Sequence, residues 1–132
     1  MRMWMVDPRI LCRKHLLGEH VETHMFKGHI ERKKGIKGYI WKNCVEVKSI
    51  TQRHADLVTE MIRRGYKHNS DLESVSIEHL SLTDREYIIN RTSSQLELLR
   101  RCPDCFLTQP RRNPLPLGGD EYEKIVANRP KL

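Results

Sequence analysis

The sequence predicts an all-α protein: a compact single domain of three main helices with a basic irregular loop and a short C-terminal helix. Three segments carry apolar residues at helical spacing, and two of them begin with a pattern typical of helix capping. Glycines and lysines interrupt this pattern after the first segment, and prolines and glycines interrupt it near the C-terminus. A chain of 132 residues suits one hydrophobic core, so we expect one domain over residues 1–132.

The first predicted helix covers residues 8 to 26. Its apolar residues fall on one stripe at helical spacing: Ile10, Leu17, Val21 and Met25. Asp7 followed by Pro8 is a typical helix start, because an aspartate can cap the first turn and proline suits the first helical position. We therefore expect the stripe to face the core.

Residues 27 to 48 lose the helical period. Gly28, Gly35 and Gly38 interrupt any helix there. Basic side chains crowd into the same stretch: Lys27, His29, Arg32, Lys33, Lys34, Lys37, Lys42 and Lys48. We expect an irregular basic loop, with short extended pieces between residues 39 and 47.

The second helix has the clearest boundaries in the sequence. It starts at a capping box running from Ser49 to Gln52 and ends at Gly65, which can adopt the left-handed conformation of a helix stop. The two arginines before this glycine complement the negative end of the helix dipole. The apolar stripe is formed by Leu57, Val58, Met61 and Ile62.

A third helix is predicted after a polar turn at residues 67 to 71. The stretch from Thr83 to Glu86 offers a second capping box, and Pro103 ends the helix. The helical pattern is carried by Ile88, Thr92, Leu96, Leu99 and Cys102. Beyond the prolines and glycines of residues 110 to 119, Asp120 to Glu123 can cap only a short last helix that runs through Asn128.

Composition favours a nucleic-acid partner. The formal charge is +7, and basic residues recur in every segment. The ordinary alternative is a merely soluble basic surface. No apolar run approaches the ~18 residues that cross a bilayer, and early charged residues argue against a signal peptide. We expect no membrane association, a cytoplasmic location (that of the host cell if the chain is viral), and reduced thiols at Cys12, Cys44, Cys102 and Cys105.

One face of the first helix gathers groups that could carry chemistry. His15, Glu19, Glu22 and Phe26 share a face roughly 130° from the apolar stripe. A histidine and two carboxylates are therefore presented together. The ordinary alternative is a solvated helix face.

Metal binding has weaker support in the sequence. His20 and His24 stand at i and i+4, but the glutamate does not directly follow the first histidine as it does in the HExxH motif. Cys102 and Cys105 form a single CxxC pair without a second pair at zinc-ribbon spacing, and this pair is interpreted as a helix end at Pro103. We therefore expect no metal site and no cofactor.

The N-terminal half resembles a known family. The resemblance is carried by Met1-Arg2-Met3-Trp4, by Pro8-Arg9-Ile10-Leu11 and by the run from His15 to Glu22. A later helix, from Gln52 through Arg63-Arg64-Gly65-Tyr66, is similar to a helix of the same family that ends in arginine, glycine and an aromatic residue. In order and spacing these segments resemble the pyrimidine-dimer DNA glycosylases of the phage endonuclease V type.

The resemblance implies an all-helical DNA glycosylase and AP lyase over residues 1–132, acting as a monomer on double-stranded DNA that contains a lesion. In that family the first residue's amino group attacks the sugar C1′ carbon and forms an imine. This role falls on Met1, and the family's catalytic glutamate falls on Glu22. Its N-terminal arginine falls on Arg2, and a histidine close to the active site falls on His15.

The chemistry of these groups agrees with the implied roles. An α-amine has a reference pKa of only ~8, so part of it is neutral and nucleophilic at cellular pH, whereas a lysine near ~10.4 would need a strong perturbation. An imine acidifies the adjacent C2′ proton, so β-elimination can break the 3′ phosphate bond. A carboxylic acid such as Glu22 can stabilise positive charge on the sugar and move protons.

Basic residues are the expected phosphate contacts, because DNA must be held and locally unstacked before C1′ is reachable. The expected DNA-binding set is Arg2, Arg9, Arg13, Lys14, His15, Arg32, Lys33, Lys34, Lys37 and Arg53. Three aromatic residues, Trp4, Tyr39 and Trp41, could stack on bases or fill the core, and for Trp4 we expect the core.

Two departures from the family pattern bear on the substrate. Val21 and Met25 stand where family members often carry arginine, and the C-terminus lacks their aromatic-rich tail. The preferred lesion could therefore be a pyrimidine dimer or another damaged or modified base. Two other functions stay open: a non-catalytic DNA-binding protein, and a metal-dependent nuclease that uses His20, His24 and a carboxylate.

Overall fold

The computed structural model describes residues 1–112, with side chains through Leu107. Within these residues the chain is all-α and contains no β-strand, as the sequence predicts. The helices are α1 (Arg13–Glu31), α2 (Lys37–Trp41), α3 (Ile50–Arg63), α4 (Leu82–Glu86), α5 (Arg91–Arg101) and α6 (Pro103–Arg112). No helix in this part of the chain is both long and apolar enough to cross a membrane. The short helix predicted after Asp120 lies outside the described residues.

The first predicted helix is in fact two elements. A 3-10 helix spans Pro8–Ile10, and its cap is Asp7, whose Oδ1 accepts a hydrogen bond from the Arg9 amide at 2.9 Å. An extended connection through Leu11 and Cys12 separates it from α1. The predicted boundaries were therefore wrong at both ends, since α1 starts at Arg13 and runs through Gly28 to Glu31.

The predicted apolar stripe is buried only in part: Ile10 is buried and Leu17 packs partly buried against the core, but the other two residues lie at the surface. Val21 and Met25 are 54% and 47% exposed. The inward face instead carries Leu16, Glu19, His20, Thr23, Phe26 and Ile30. Polar residues occupy half of this face, so an apolar stripe could not reveal it. Glu19 is paired with Arg53, the Thr23 hydroxyl donates to the His20 carbonyl within α1, and His20 packs against the rings of His54 and His68.

The basic stretch after α1 is more helical than expected. The short helix α2 replaces the predicted extended pieces, and a 3-10 helix follows at Val47–Ser49. Lys33 (φ 56°) and Asn43 (φ 59°) adopt the left-handed conformation that reverses the chain on either side of α2. The helix persists because Ile36 and Ile40 are buried in the core.

Helix α3 confirms the second predicted helix. Leu57 and Met61 are buried, and Gly65 has φ 84°. The amides of Gly65 and Tyr66 donate to the carbonyl oxygens of Ile62 and Met61, which is the hydrogen-bond pattern of a Schellman motif. The predicted capping box does not form, because the Ser49 hydroxyl bonds to Glu46 instead.

The third predicted helix is divided into α4 and α5. Ser81 caps α4 and Asn90 caps α5, so Thr83 lies within α4 and is not its cap. The break between them is held by long-range hydrogen bonds: the Ile89 amide donates to Glu46 Oε1 at 2.8 Å, and the Asn90 amide donates to Asn43 Oδ1 at 2.9 Å. Local capping patterns could not reveal partners more than forty residues away. Pro103 does end this segment, as predicted, and it begins α6.

The first six residues lie between two groups of core side chains. Trp4 and Val6 belong to a first cluster with Leu16, Leu57 and Leu98. Met3 belongs to a second cluster, formed with Phe26, Ile30, Ile36, Ile40, Val45, Val47, Ile50 and Ile89. Hydrogen bonds fix the backbone of this segment, from the Met3 amide to the Cys44 carbonyl at 2.7 Å and from the Ser94 hydroxyl to the Trp4 carbonyl at 2.5 Å.

A buried ion pair joins α1 to α3. Arg53 Nε and Nη2 donate to the two carboxylate oxygens of Glu19 at 2.5 and 3.0 Å, and Arg53 Nη1 donates to the Val6 carbonyl at 2.6 Å. The side chain of Arg53 is only 4% exposed and that of Glu19 is fully buried. One guanidinium therefore links both helices to the N-terminal segment.

A cluster of histidines lies beside this ion pair. The ring centroids of His24, His54 and His68 lie 5.2, 4.7 and 5.0 Å from that of His20. His54 Nε2 donates to the Ser70 carbonyl at 3.1 Å and lies 3.2 Å from His24 Nε2. Burial and the three neighbouring rings lower the pKa of His20 to about 4, and burial also lowers the pKa of His54. Burial therefore favours the neutral forms of His20 and His54 in this cluster.

The Arg53→Ala variant should lose about 3–5 kcal/mol of unfolding free energy, because it leaves the Glu19 carboxylate buried without its partner. Urea denaturation followed by circular dichroism measures this loss. Arg9→Ala is the control, since the Arg9 side chain is exposed and forms its ion pair with Asp7 at the surface. Similar denaturation midpoints for the two variants would show that the buried pair does not hold the helices together.

Stability should fall as pH decreases from about 6.5 towards about 4. In this interval the unfolded chain protonates His20 while the folded chain keeps it neutral, so protons favour unfolding. The test compares urea midpoints of wild type and His20→Leu across the interval, and the exposed His79→Asn serves as a control. Equal pH dependence of wild type and His20→Leu would refute the role of this ring.

Candidate active site

The N-terminus opens into a cleft of about 790 Å³. The cleft is bordered by the N-terminal segment, the middle of α1, the end of α2 and the end of α5. Its lining residues include Met1, Arg2, Trp4, Lys14, His15, Glu19, Glu22, Tyr39, Lys42 and Arg101. Residues from distant parts of the sequence therefore surround the Met1 amine and the Glu22 carboxylate.

The α-amine of Met1 lies beside the Glu22 carboxylate. The distance from the Met1 nitrogen to Glu22 Oε1 is 3.9 Å, and the two residues' side chains are 13% and 28% exposed. The position of Met1 follows from the hydrogen bonds that fix Met3 and Trp4 behind it. The pair is partly sheltered yet open to the cleft, so a ligand in the cleft could reach both groups.

Two carboxylates line the cleft, and their environments differ. Glu19 is bound by Arg53, whereas Glu22 has no side-chain hydrogen bond within the described residues. Burial raises the pKa of the Glu22 carboxyl, although the Met1 amine, the Arg2 backbone and the Arg2 guanidinium act in the opposite direction. Glu22 is therefore the carboxylate of the cleft that no guanidinium binds, whereas Glu19 is occupied by Arg53.

Arg2 and Trp4 form the wall next to the amine. The Arg2 guanidinium lies 3.8 Å from the centroid of the Trp4 ring, and the edge of His15 contacts the same ring at a centroid distance of 5.8 Å. Burial lowers the pKa of Arg2, and its Nε has no hydrogen-bond partner in the described part of the chain. Trp4 is buried, which confirms the expectation that it belongs to the core.

The structure brings only part of the expected DNA-binding set to this cleft. Arg2, Lys14 and His15 line it. Lys42 and Arg101 also line it, although sequence reasoning did not select them as DNA contacts. Lys42 was visible as one of the cations of the basic stretch, but no local pattern connects Arg101 to the N-terminus. Arg32 borders a second groove that shares Met1 with the cleft.

The remaining expected cations lie elsewhere. Arg9 is held by the Asp7 carboxylate, and Arg13 lies over the Tyr66 ring at 4.8 Å. Lys33, Lys34 and Lys37 border a separate groove, where Lys37 pairs with Asp84 at 3.2 Å. Arg53 differs most from the expectation, because it is buried in the pair with Glu19 and presents no charge to a phosphate at the surface.

The second groove is apolar on its α1 side. It is lined by Met1, Val21, His24, Met25, Gly28, His29, Arg32 and Tyr39. Tyr39 also lines the main cleft. Close by in sequence, Trp41 is 83% exposed at the end of α2, so its ring is available to stack on a base.

The grouping of His20 and His24 with a carboxylate, which the metal-dependent nuclease alternative requires, is not what the described residues show. The close ligand-capable group around His20 consists of His54 and His68. Within the described residues no cysteine forms a disulfide, and Cys12, Cys102 and Cys105 lie near His15.

Comparison with known proteins places this site in a family. No curated protein and no solved structure shows a significant match to the chain. One family model, described as pyrimidine dimer DNA glycosylase, matches residues 1–74, which is more than half of the sequence. The matched region contains Met1, Arg2, His15, Glu19 and Glu22. The chain therefore belongs to the pyrimidine dimer DNA glycosylase family, a family of DNA repair enzymes.

Proposed function

We propose that the protein is a DNA N-glycosylase and AP lyase that acts on duplex DNA containing a pyrimidine dimer or another damaged or modified base. The observation that carries the proposal is the 3.9 Å separation of the Met1 α-amine and the Glu22 carboxylate in an open cleft. Family membership supports glycosylase chemistry. The Met1 α-amine in this cleft is the proposed nucleophile, because the imine that it forms with the sugar also accounts for strand cleavage.

In the first stage a bond between the Met1 nitrogen and C1′ replaces the bond between C1′ and the base. The neutral Met1 amine donates its lone pair to C1′, the C1′–base bond breaks, and the base leaves with the bonding electrons and receives a proton. Loss of a proton from the attached nitrogen and protonation of the ring oxygen then open the sugar. The product of this stage is an imine between Met1 and C1′.

The second stage breaks the strand. The protonated imine acidifies C2′, a base removes one C2′ proton, and the electron pair forms the C2′–C3′ double bond as the C3′–oxygen bond breaks. The 3′ phosphate leaves with the electrons of the broken C3′–oxygen bond. Water then hydrolyses the unsaturated imine to an aldehyde and regenerates the amine.

Glu22 is the proton carrier in this proposal. Its carboxylate faces the nitrogen that gains and loses protons at each stage. Because burial raises the pKa of Glu22, the protonated form is accessible closer to neutral pH than in an exposed glutamate. The ionised form stabilises positive charge that develops on the sugar.

Exposed cations and one aromatic ring around the cleft are the proposed DNA surface. Lys14 and Lys42 border the cleft, and Arg32 borders the adjoining groove. Phosphate contacts of this kind hold a duplex without reading its sequence. Trp41, exposed beside Lys42, is proposed to stack on a base while the strand is distorted.

The apolar groove beside Met1 bears on the choice of lesion. Val21 and Met25 are exposed there, at positions where family resemblance leads us to expect arginine. An apolar wall favours contact with the face or methyl group of a base over contact with phosphate. This supports including damaged or modified bases other than the pyrimidine dimer among the substrates.

We also propose that residues 1–132 act as one domain and as a monomer, since one chain supplies the whole cleft.

Glu22→Gln should reduce strand cleavage by roughly 10²–10⁴-fold, because an amide cannot exchange the required protons. Affinity for the same lesion-containing duplex should change little, since Glu22 is not a phosphate contact. Single-turnover cleavage and fluorescence anisotropy measure the two quantities. Glu31→Gln is the matched control on α1, where the exposed carboxylate pairs with Lys27. Near wild-type cleavage by Glu22→Gln would contradict the assigned role.

Blocking the α-amine should abolish covalent trapping. Borohydride reduces the imine on a dimer-containing or abasic duplex to a stable adduct, and peptide mapping should locate that adduct on Met1. N-terminal acetylation or an uncleaved N-terminal tag should eliminate it, whereas the same tag at the C-terminus should not. An adduct on a lysine would assign the nucleophile elsewhere. Absence of both adduct and cleavage would favour a non-catalytic DNA-binding protein, and cleavage that leaves no adduct and is lost in excess EDTA would favour the metal-dependent nuclease.

A further inference from the structure

Three cysteines and one histidine converge at the junction of α1, α5 and α6. Cys12 Sγ lies 3.2 Å from His15 Nδ1 and 3.9 Å from Cys102 Sγ, and Cys105 Sγ lies 3.6 Å from His15 Nδ1. One ligand atom from each of the four residues lies within 4.8 Å of all the others. The cysteines are buried and His15 is partly buried.

These separations match the edges of a zinc tetrahedron. With Zn–S bonds of about 2.3 Å and Zn–N bonds of about 2.0–2.1 Å, tetrahedral geometry places two sulfurs about 3.8 Å apart and a sulfur and a nitrogen about 3.5 Å apart. The observed 3.9 Å between sulfurs, and 3.2 and 3.6 Å from sulfur to nitrogen, lie close to these values. A multi-iron cluster would hold its ligands farther apart than a single ion does.

Backbone amides also point at the sulfur atoms. The Cys12 amide donates to Cys105 Sγ at 3.2 Å, and the Cys105 amide lies 3.4 Å from Cys102 Sγ. A neutral thiol is a weak acceptor, whereas a metal-bound thiolate carries negative charge that such amides stabilise. These backbone amides thus supply hydrogen bonds of the kind that stabilise metal-bound thiolates.

The spacing of the four residues completes the pattern. Cys102 and Cys105 are separated by two residues, and so are Cys12 and His15. The sequence therefore contains two pairs of possible ligands at the same spacing. The pair of Cys12 and His15 includes a histidine and lies about ninety positions before the CxxC pair. In the sequence the CxxC appears as a lone pair, because no second cysteine pair lies at zinc-ribbon spacing.

We propose that Cys12, His15, Cys102 and Cys105 bind one structural Zn²⁺ ion. Four protein ligands close the coordination sphere, so the ion has no open position for a substrate and its role is in folding. Binding releases the thiol protons to solvent as the three thiolates coordinate the ion. The expectation that the chain has no metal site is replaced by this proposal.

The site would fasten the start of α1 to the α5–α6 junction. Cys102 and Cys105 lie outside the residues that match the family model, whereas Cys12 and His15 lie inside it. His15 is one of the proposed ligands, and Arg101 directly precedes the ligand Cys102 in the sequence. Both residues line the cleft of the proposed active site. Zinc would therefore connect the family-like half of the protein to its C-terminal half, next to the cleft but without joining the reaction.

Elemental analysis of the purified full-length protein tests the proposal. Protein produced in zinc-supplemented medium should contain close to one zinc per chain after exhaustive dialysis, and Cys102→Ser and Cys105→Ser should lose most of it. Cys44→Ser is the matched control, because Cys44 is a buried thiol outside this group of four residues and its Sγ donates to the Lys42 carbonyl. Zinc retained by the two ligand variants, or lost equally from the control, would overturn the assignment.

Cobalt substitution keeps the test valid if a ligand variant fails to fold. Wild-type protein reconstituted with Co²⁺ should show the intense visible bands of tetrahedral cobalt and the thiolate-to-cobalt charge-transfer absorption. Removal of the ion with a strong chelator should lower the melting temperature and expose three additional reactive thiols. Wild-type protein that holds no zinc, contains iron instead, or has a mass lower by two hydrogens from a disulfide would refute the proposal.

Discussion

The buried ion pair between Glu19 and Arg53 is the constraint on which the arrangement of the site depends. Removing two charges from water is costly, so such a pair is better explained by the geometry it imposes than by net stabilisation. Here one guanidinium binds α1 through Glu19 and the N-terminal segment through the Val6 carbonyl. The pair fixes the rotation of α1, and Glu22, almost one turn further along, is thereby directed towards the Met1 amine.

This constraint explains why Val21 and Met25, half of the predicted apolar stripe, face solvent. Once Glu19 is turned inward, His20 and Thr23 follow it into the interior, and Val21 and Met25 are left at the surface. The buried face is then completed by histidine rings from α3 and from the segment after it. Two hydrophobic clusters enclose these polar groups, so the protein combines an ordinary apolar core with a polar layer that sets helix orientation.

Sequence patterns predicted what depends on local physics. The class, helix α3 with its glycine stop, the helix break at Pro103 and the burial of Trp4 all follow from spacing, backbone conformation or hydrophobicity. The sequence could not reveal the orientation of α1, the division into α4 and α5, or the burial of Arg53, because each depends on a partner distant in the chain. Family resemblance pointed to Met1 and Glu22, whereas the contribution of Arg101 to the cleft required the tertiary structure.

The break between α4 and α5 has a consequence for how this enzyme family can diversify. Ile89 and Asn90 are bonded to Glu46 and Asn43, and the neighbouring Cys44 carbonyl holds the Met3 amide. A chain of covalent links and hydrogen bonds thus runs from a segment outside the family match to the backbone just behind the Met1 amine, the proposed nucleophile. Substitutions in that later segment are therefore a route by which the position of this amine can change while the cations proposed to contact DNA stay the same.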